Sequence, residues 1–251
     1  LSMFYNEKKK ISNVTLALAS QWAENTYFGK NSGLQDQLGS CSDGMEILDF
    51  KNPTKPTIHH FAPGLGNYQI VLVKSKTSHA NASDAFNSIP ADYKKICKKY
   101  RAKNLRVLDW AKFSKDWDKK DNQVKREYKR AWHYGNELLR VDCAFRALKK
   151  ANMREFKLCI AESGQSNKKY LQNILIPGQK QSNLLDVYET SVKTIKDGAV
   201  RIHGGGFGGA CFVVINKREL PIYEKRMAKL VGKENIYHIE ISKHALEWIK
   251  L

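Results

Sequence analysis

The chain has 251 residues, 42% of them hydrophobic, enough to bury one large core or two modest ones. Its 43 Lys and Arg against 25 Asp and Glu give a formal net charge of +18, but the basic residues lie in scattered clusters (Lys8–Lys10, Lys94–Lys103, Lys119–Arg130, Lys149–Lys150) with no nucleic-acid motif beside them. They read as a solvated surface, and no nucleic-acid partner is expected. Five cysteines without a C-x-x-C spacing argue against a disulfide framework or a zinc site. With no apolar run near the ~18 residues that span a bilayer and no signal-peptide pattern in LSMFYNEKKK, the expectation is a cytoplasmic protein with no membrane partner.

In chain order, residues 13–28 predict a helix capped at Ser12-Asn13, with Val14, Leu18 and Trp22 on one face. A loop with Gly29 and Gly33 leads to a second short helix that carries LQDQL on its first turn. Three strands are predicted at 44–50, 57–63 and 68–75, the third apolar on both faces and so the most buried. Helical patterns follow near 90–100, 108–115, 121–150 and 152–161, and QSNKKYLQNILIPGQK then connects to a helix over 183–197. There Leu184, Tyr188, Val192 and Ile195 share a face, and Gly198 suits the position after the C-cap. The end of the chain reads as a glycine-tipped hairpin, a helix over 220–231 and a strand over 236–242.

The hairpin tip, RIHGGGFGG at 201–209, is the densest glycine run. Such a loop either cradles an anion with convergent N–H groups or is a plain turn. A dinucleotide-binding loop opens a helix, whereas these glycines run into the β-branched ACFVVIN, so that reading fails on context. His59 and His60 are adjacent on a strand and face opposite sides, so they cannot share a metal ion; with His203 they read as structural.

GAVRIHGGGFGG (198–209) resembles the third motif of the GHMP small-molecule kinases, in the form of the galactokinase branch. Three further segments are similar to galactokinase patterns in the same order: AENTYFGKNSGLQDQ (23–37), RAWHYGNELLRV (130–141) and ESGQSNKKYLQN (162–173). The resemblance implies an α+β, two-domain GHMP kinase fold: an incomplete N-terminal α+β domain over 1–83, then a ferredoxin-like α+β C-terminal domain over 84–251. It implies transfer of the γ-phosphoryl group of ATP to the anomeric hydroxyl of galactose or a related hexose, with Mg2+.

On the matched positions, Asp36 is the catalytic aspartate, although an Asp in a first helical turn taken alone reads as a cap or dipole partner. The resemblance likewise implies that Glu24 is the magnesium carboxylate and that the backbone at Gly33 approaches the sugar. Gly204, Gly205, Gly206, Gly208 and Gly209 line the phosphate side, with a shaping rather than a chemical role.

Two family motifs, G-R-x-N-[IL]-I-G-E-H-T-D-Y and P-x-G-x-G-L-S-S-S-A, are not in these residues. The expectation is a truncated chain, nearly inactive alone, whose N-terminal segment would be supplied separately if it is encoded elsewhere. Phe86 stands where the family has a sugar-touching Tyr, Gln35 where it has Met, and Asn167 where it has Ser. The alternative is a non-catalytic galactose- or nucleotide-binding relative, or a decayed remnant.

Overall fold

The computed structural model describes residues 11–29, 32–42, 44–52, 55–61, 64–77, 82–118 and 124–241. Contacts divide the chain into two units, residues 1–63 with 240–251, and residues 64–239. The basic cluster Lys8–Lys10, the start of the expected 121–150 helix, the end of the 57–63 strand and the last residue of the 236–242 strand lie outside the described residues.

In the first unit, α1 (Asn13–Tyr27) is followed by α2 (Gln35–Ser40) and by a hairpin of β1 (Met45–Asp49) and β2 (Thr57–Phe61). Ser12 caps α1 through its hydroxyl, which accepts from the Thr15 N–H. The expected apolar face of α1 is not the buried one. Ala17 is fully buried against Leu34, Leu38 and Cys41, whereas Leu18 and Trp22 are exposed, because the close approach of α2 fits a methyl group and not a large side chain.

The second unit is built on an antiparallel sheet of order β4-β5-β3-β6, with β3 at Tyr68–Lys74, β4 at Gly198–His203, β5 at Ala210–Asn216 and β6 at Ile236–Ile239. β3 pairs along its whole length with β5 and also with β6. Val71 and Val73 on one face and Ile70 on the other are buried, as expected for a strand apolar on both sides. α7 (Asn183–Thr194) and α8 (Leu220–Val231) close one core with Leu184, Val187, Tyr223 and Met227 against Val71, Val73, Val213 and Ile215. Val192 is exposed, and the buried stripe of α7 is Leu184, Val187, Tyr188 and Ser191. Gly198 is not a cap. It opens β4, where a Cβ would lie 2.3 Å from the Val214 carbonyl oxygen, so its bareness answers to strand packing.

The remaining helices are α3 (Ser83–Tyr100), α4 (Trp110–Asp118), α5 (Arg126–Lys149) and α6 (Met153–Ser166). α3 begins well before the expected start, and Pro90 sits inside it. An aromatic cluster joins α4 to α5, with the Trp117 and Trp132 rings stacked at 4.7 Å and 11°. Gly135 has no Cβ because the Trp110 ring stands 2.6 Å from where it would be. α6 lies equally close to β4: a Cβ on Gly164 would be 2.2 Å from the Val200 carbonyl oxygen.

Candidate active site

The two groups of candidate residues fall in different units. In the first, α1 and α2 carry the acidic residues. Gln21 Nε2 donates to the Ser32 carbonyl (3.1 Å), and the Ser32 N–H and hydroxyl both donate to Asn25 Oδ1 (3.0 Å each). α1 thus holds the loop that precedes α2, in the sequence S-G-L-Q-D-Q. Gln37, 7% exposed, donates from Nε2 to Glu24 Oε1 at 3.2 Å, while its Oε1 is buried with no partner among the described residues. Asp36, on the first turn of α2, is exposed and its carboxylate bonds to no described residue. So the expected carboxylates sit on neighbouring elements, with Gln37 beside Asp36 in sequence bridging to Glu24. Gly33 has nothing within 4 Å of a built Cβ and no positive φ; no close approach within the described residues requires a glycine there.

In the second unit, the glycine segment turns β4 back into β5, as expected for a hairpin. Gly204, Gly206, Gly208 and Gly209 all have positive φ, at 65°, 82°, 138° and 76°, and Phe207 joins them at 54°. Such values are open to glycine and unfavourable for residues that carry a Cβ. A groove of about 400 Å³ opens over the loop, reached also by Leu72, Lys74, His203 and Tyr237. Lys74 has no ion-pair partner among the described residues.

Phe86 lies against this loop. Its ring meets Phe207 edge to face at 5.3 Å and 89°, and a Cβ on Gly205 would come within 2.5 Å of it. In these packed surroundings the phenyl ring serves as a wall for the glycine turn.

Residues to which the sequence assigned no role hold the loop from below. Asn173, fully buried, accepts the Phe207 N–H on its backbone carbonyl (2.5 Å) and donates from Nδ2 to the Gly205 carbonyl (3.1 Å). Its own placement follows from the end of α6. The stretch expected to be a connection is a continuation of that helix, one π-helical turn at Asn167–Leu171, which ends at Gln172 with φ 57°. π turns recur at functional sites because they redirect side chains. Here the turn delivers Asn173 to the hairpin, while Asn167 Oδ1 accepts the Ile202 N–H of β4 at 3.4 Å.

The turn is tied to the helices by Arg130, 1% exposed, which donates from Nε to the Leu171 carbonyl (3.1 Å) and from Nη1 to Ser88 Oγ and Asp92 Oδ2 (2.8 Å each). Burial by itself would raise the Asp92 carboxyl. Hydrogen bonding and charge from Arg126, with Lys95 and Arg130, hold it below the usual carboxylate range instead. Beside this network the His133 Nδ1 meets Ser166 Oγ at 2.8 Å, and burial pushes the imidazole down to about 4. Arg130, Asn167 and Asn173 all lie in the segments that carry the resemblance, and their position there was the available signal.

No family model matches the chain. It is 27% identical over 224 residues to a galactokinase of Lactobacillus helveticus, covering 88% of this chain and 56% of that protein. A galactokinase of Clostridium tetani is also 27% identical, with 95% and 61% covered. Among solved structures, galactokinase of Lactococcus lactis complexed with galactose superposes with a TM-score of 0.77 at 21% identity, over 96% of this chain and 63% of that one. Mevalonate kinase of L. major in complex with R-mevalonate gives 0.57 at 12% identity, over 94% and 60%. The fold is therefore that of the GHMP kinases, mixed helix and sheet, and the sequence is galactokinase-like over nearly all its length. The chain spans little more than half the length of the curated relatives it matches.

Proposed function

We propose that this chain carries part of the machinery of a sugar kinase that transfers the γ-phosphoryl group of ATP to the anomeric hydroxyl of galactose or a close hexose. The observation that carries the reading is the pair of local constructions just described: the Asp36 and Glu24 carboxylates on the adjoining α1 and α2, and a strained glycine hairpin buttressed by Phe86 and Asn173. Asp36 is exposed and its carboxylate meets no partner among the described residues, which leaves it open to take the proton of an attacking hydroxyl. Glu24, its carboxylate fixed by Gln37, suits a magnesium ion that takes one protein carboxylate and completes its shell with phosphate and water. When bound, magnesium supplies charge neutralisation on the phosphates. Gly33 is assigned to the sugar side, and Gly204, Gly205, Gly206, Gly208 and Gly209 to the phosphate side, where positive φ and missing side chains give the loop its shape. Phe86 cannot offer a hydroxyl to the sugar, so sugar recognition rests on other groups.

The two family motifs absent from these 251 residues are assigned no substitute here, and the chain alone is proposed to turn over poorly. Phosphoryl transfer is mostly positioning and electrostatics, and each missing donor counts. The test follows label from γ-labelled ATP into galactose and a panel of hexoses, using the chain alone and the chain co-expressed with a segment bearing both motifs. The expected result is labelled galactose phosphate from the complemented chain, lowered about 10²–10⁴-fold by Asp36→Ala with the fold intact. No labelled sugar from any hexose refutes the kinase reading, and saturable galactose binding without transfer replaces it with that of a binding protein.

A further inference from the structure

A second concavity, of about 760 Å³, lies along the edge of the sheet between α8 and β6. On α8 it is lined by Pro221, Glu224, Lys225, Ala228 and Lys229, one stripe at spacings of three and four residues, while Tyr223, Met227 and Val231 point into the core. The helix therefore has a second ordered face that the core does not use. Lys233 and the strand residues Ile236 and His238 complete the walls. Tyr237, between them, faces the other side of the sheet, as pleating requires.

Three features set the chemistry of an occupant. Lys225, Lys229 and Lys233 are exposed and have no ion-pair partner among the described residues. The acids at hand are engaged: Glu224 pairs with His238, and Glu234 accepts from Asn235. The floor is apolar, from Pro221, Ala228 and Ile236. Finally, β6 pairs with β3 on one side and with no described strand on the other. In an antiparallel strand, alternate residues aim both backbone groups at the partner, so the remaining ones of β6 aim theirs outward.

We infer that this groove docks an extended acidic peptide segment, which adds as a strand to the open edge of β6 and sets carboxylates against the three lysines. The spacings agree. Lys225 and Lys229, one turn apart on α8, are separated by a rise of about 6 Å, close to the roughly 6.6–6.8 Å at which alternate side chains of an extended peptide repeat, and Lys233 follows beyond the helix end in the short turn Lys233–Asn235. Acidic residues at every second position would meet them in register, with aliphatic stems on the apolar floor. Main-chain bonds to the edge then give affinity and the lysines give selectivity. No Phe, Tyr or Trp lines the groove, and its one ring, the imidazole of His238, is paired with Glu224, so the aromatic platform that holds single-stranded nucleic acid is lacking there.

The probe is a fluorescein-labelled eight-residue peptide alternating Glu and Val, titrated by anisotropy against the full chain at 50 and 300 mM salt. Because the chain is +18 overall, the variant Lys225→Glu/Lys229→Glu/Lys233→Glu is compared with an equal reversal elsewhere, Lys94→Glu/Lys98→Glu/Lys112→Glu. Saturable binding is expected, weakened at least tenfold by the first set and less than threefold by the second, with both variants unfolding at the wild-type urea midpoint. A peptide with the same residues in a Glu block and a Val block should bind at least tenfold more weakly. Hydrogen exchange should slow at the β6 amides on binding. Equal losses from both lysine sets, no binding at millimolar peptide, or an unprotected β6 each overturn the inference. So does an oligothymidylate that displaces the peptide and binds in a manner dependent on the same three lysines.

Discussion

Replacing Gly206 by alanine probes the construction of the hairpin most directly. At φ +82° a side chain sits in the left-handed region, which costs an L-residue about 1–2 kcal/mol. The added Cβ would also lie 2.1 Å from the Asn173 carbonyl oxygen and 2.5 Å from its Nδ2. Asn173 cannot step aside without loosening its bonds to Phe207 and Gly205, and relieving such overpacking costs about 1–3 kcal/mol. The sum is a loss of about 2–5 kcal/mol. Gly204→Ala is the control, because its φ is +65° but nothing lies within 4 Å of its Cβ; it should lose only the backbone part. With a urea slope of about 2 kcal/mol/M, the Gly206→Ala midpoint falls by about 1–2.5 M and that of Gly204→Ala by about 0.5–1 M. Equal midpoints for the two variants would refute the claim that Asn173 holds the loop by close approach.

Three further outcomes are expected. The unfolded chain protonates His133 near its ordinary value of 6.5 and the folded chain only at about 4, so stability falls as pH drops between these values, by about 3 kcal/mol in all, and levels off below. His133→Asn should remove that slope from urea midpoints measured between pH 7 and pH 4; an unchanged slope sinks the assignment. Arg130→Met leaves the Leu171 carbonyl without its donor and removes one buried charge partner from Asp92, while Ser88 Oγ keeps its bond to the Ala85 carbonyl; it should cost about 3–5 kcal/mol by denaturation, with faster hydrogen exchange in the π turn. Gly164→Ala, at an ordinary helical φ, should cost about 1–3 kcal/mol through the contact of α6 with the Val200 carbonyl, read as a lowered thermal midpoint; a wild-type midpoint would show that α6 can move away from β4 freely.

Local chemistry in the sequence was sufficient for the elements whose signals are local. The β3 run apolar on both faces, the β-branched β5, α8 and the hairpin between β4 and β5 lie close to where pattern alone puts them. The short α2 with Asp36 on its first turn did too, since a loop with two glycines precedes it. Motif order likewise sufficed for the family likeness, because side-chain identity at spaced positions survives without coordinates.

Tertiary structure decided what depends on which surfaces meet. β3 joined the later strands because their long pairing, not proximity in sequence, satisfies its backbone. The buried stripe of α1 fell on Ala17 rather than Trp22, and Gly198 proved a packing glycine, because close approach between elements is invisible to periodicity. The π turn after α6 had no local signature: its turn delivers Asn173 to the hairpin, and its Leu171 carbonyl is held by Arg130, 41 residues away in the chain. Sequence names the residues able to do chemistry, and packing alone determines which of them are held still.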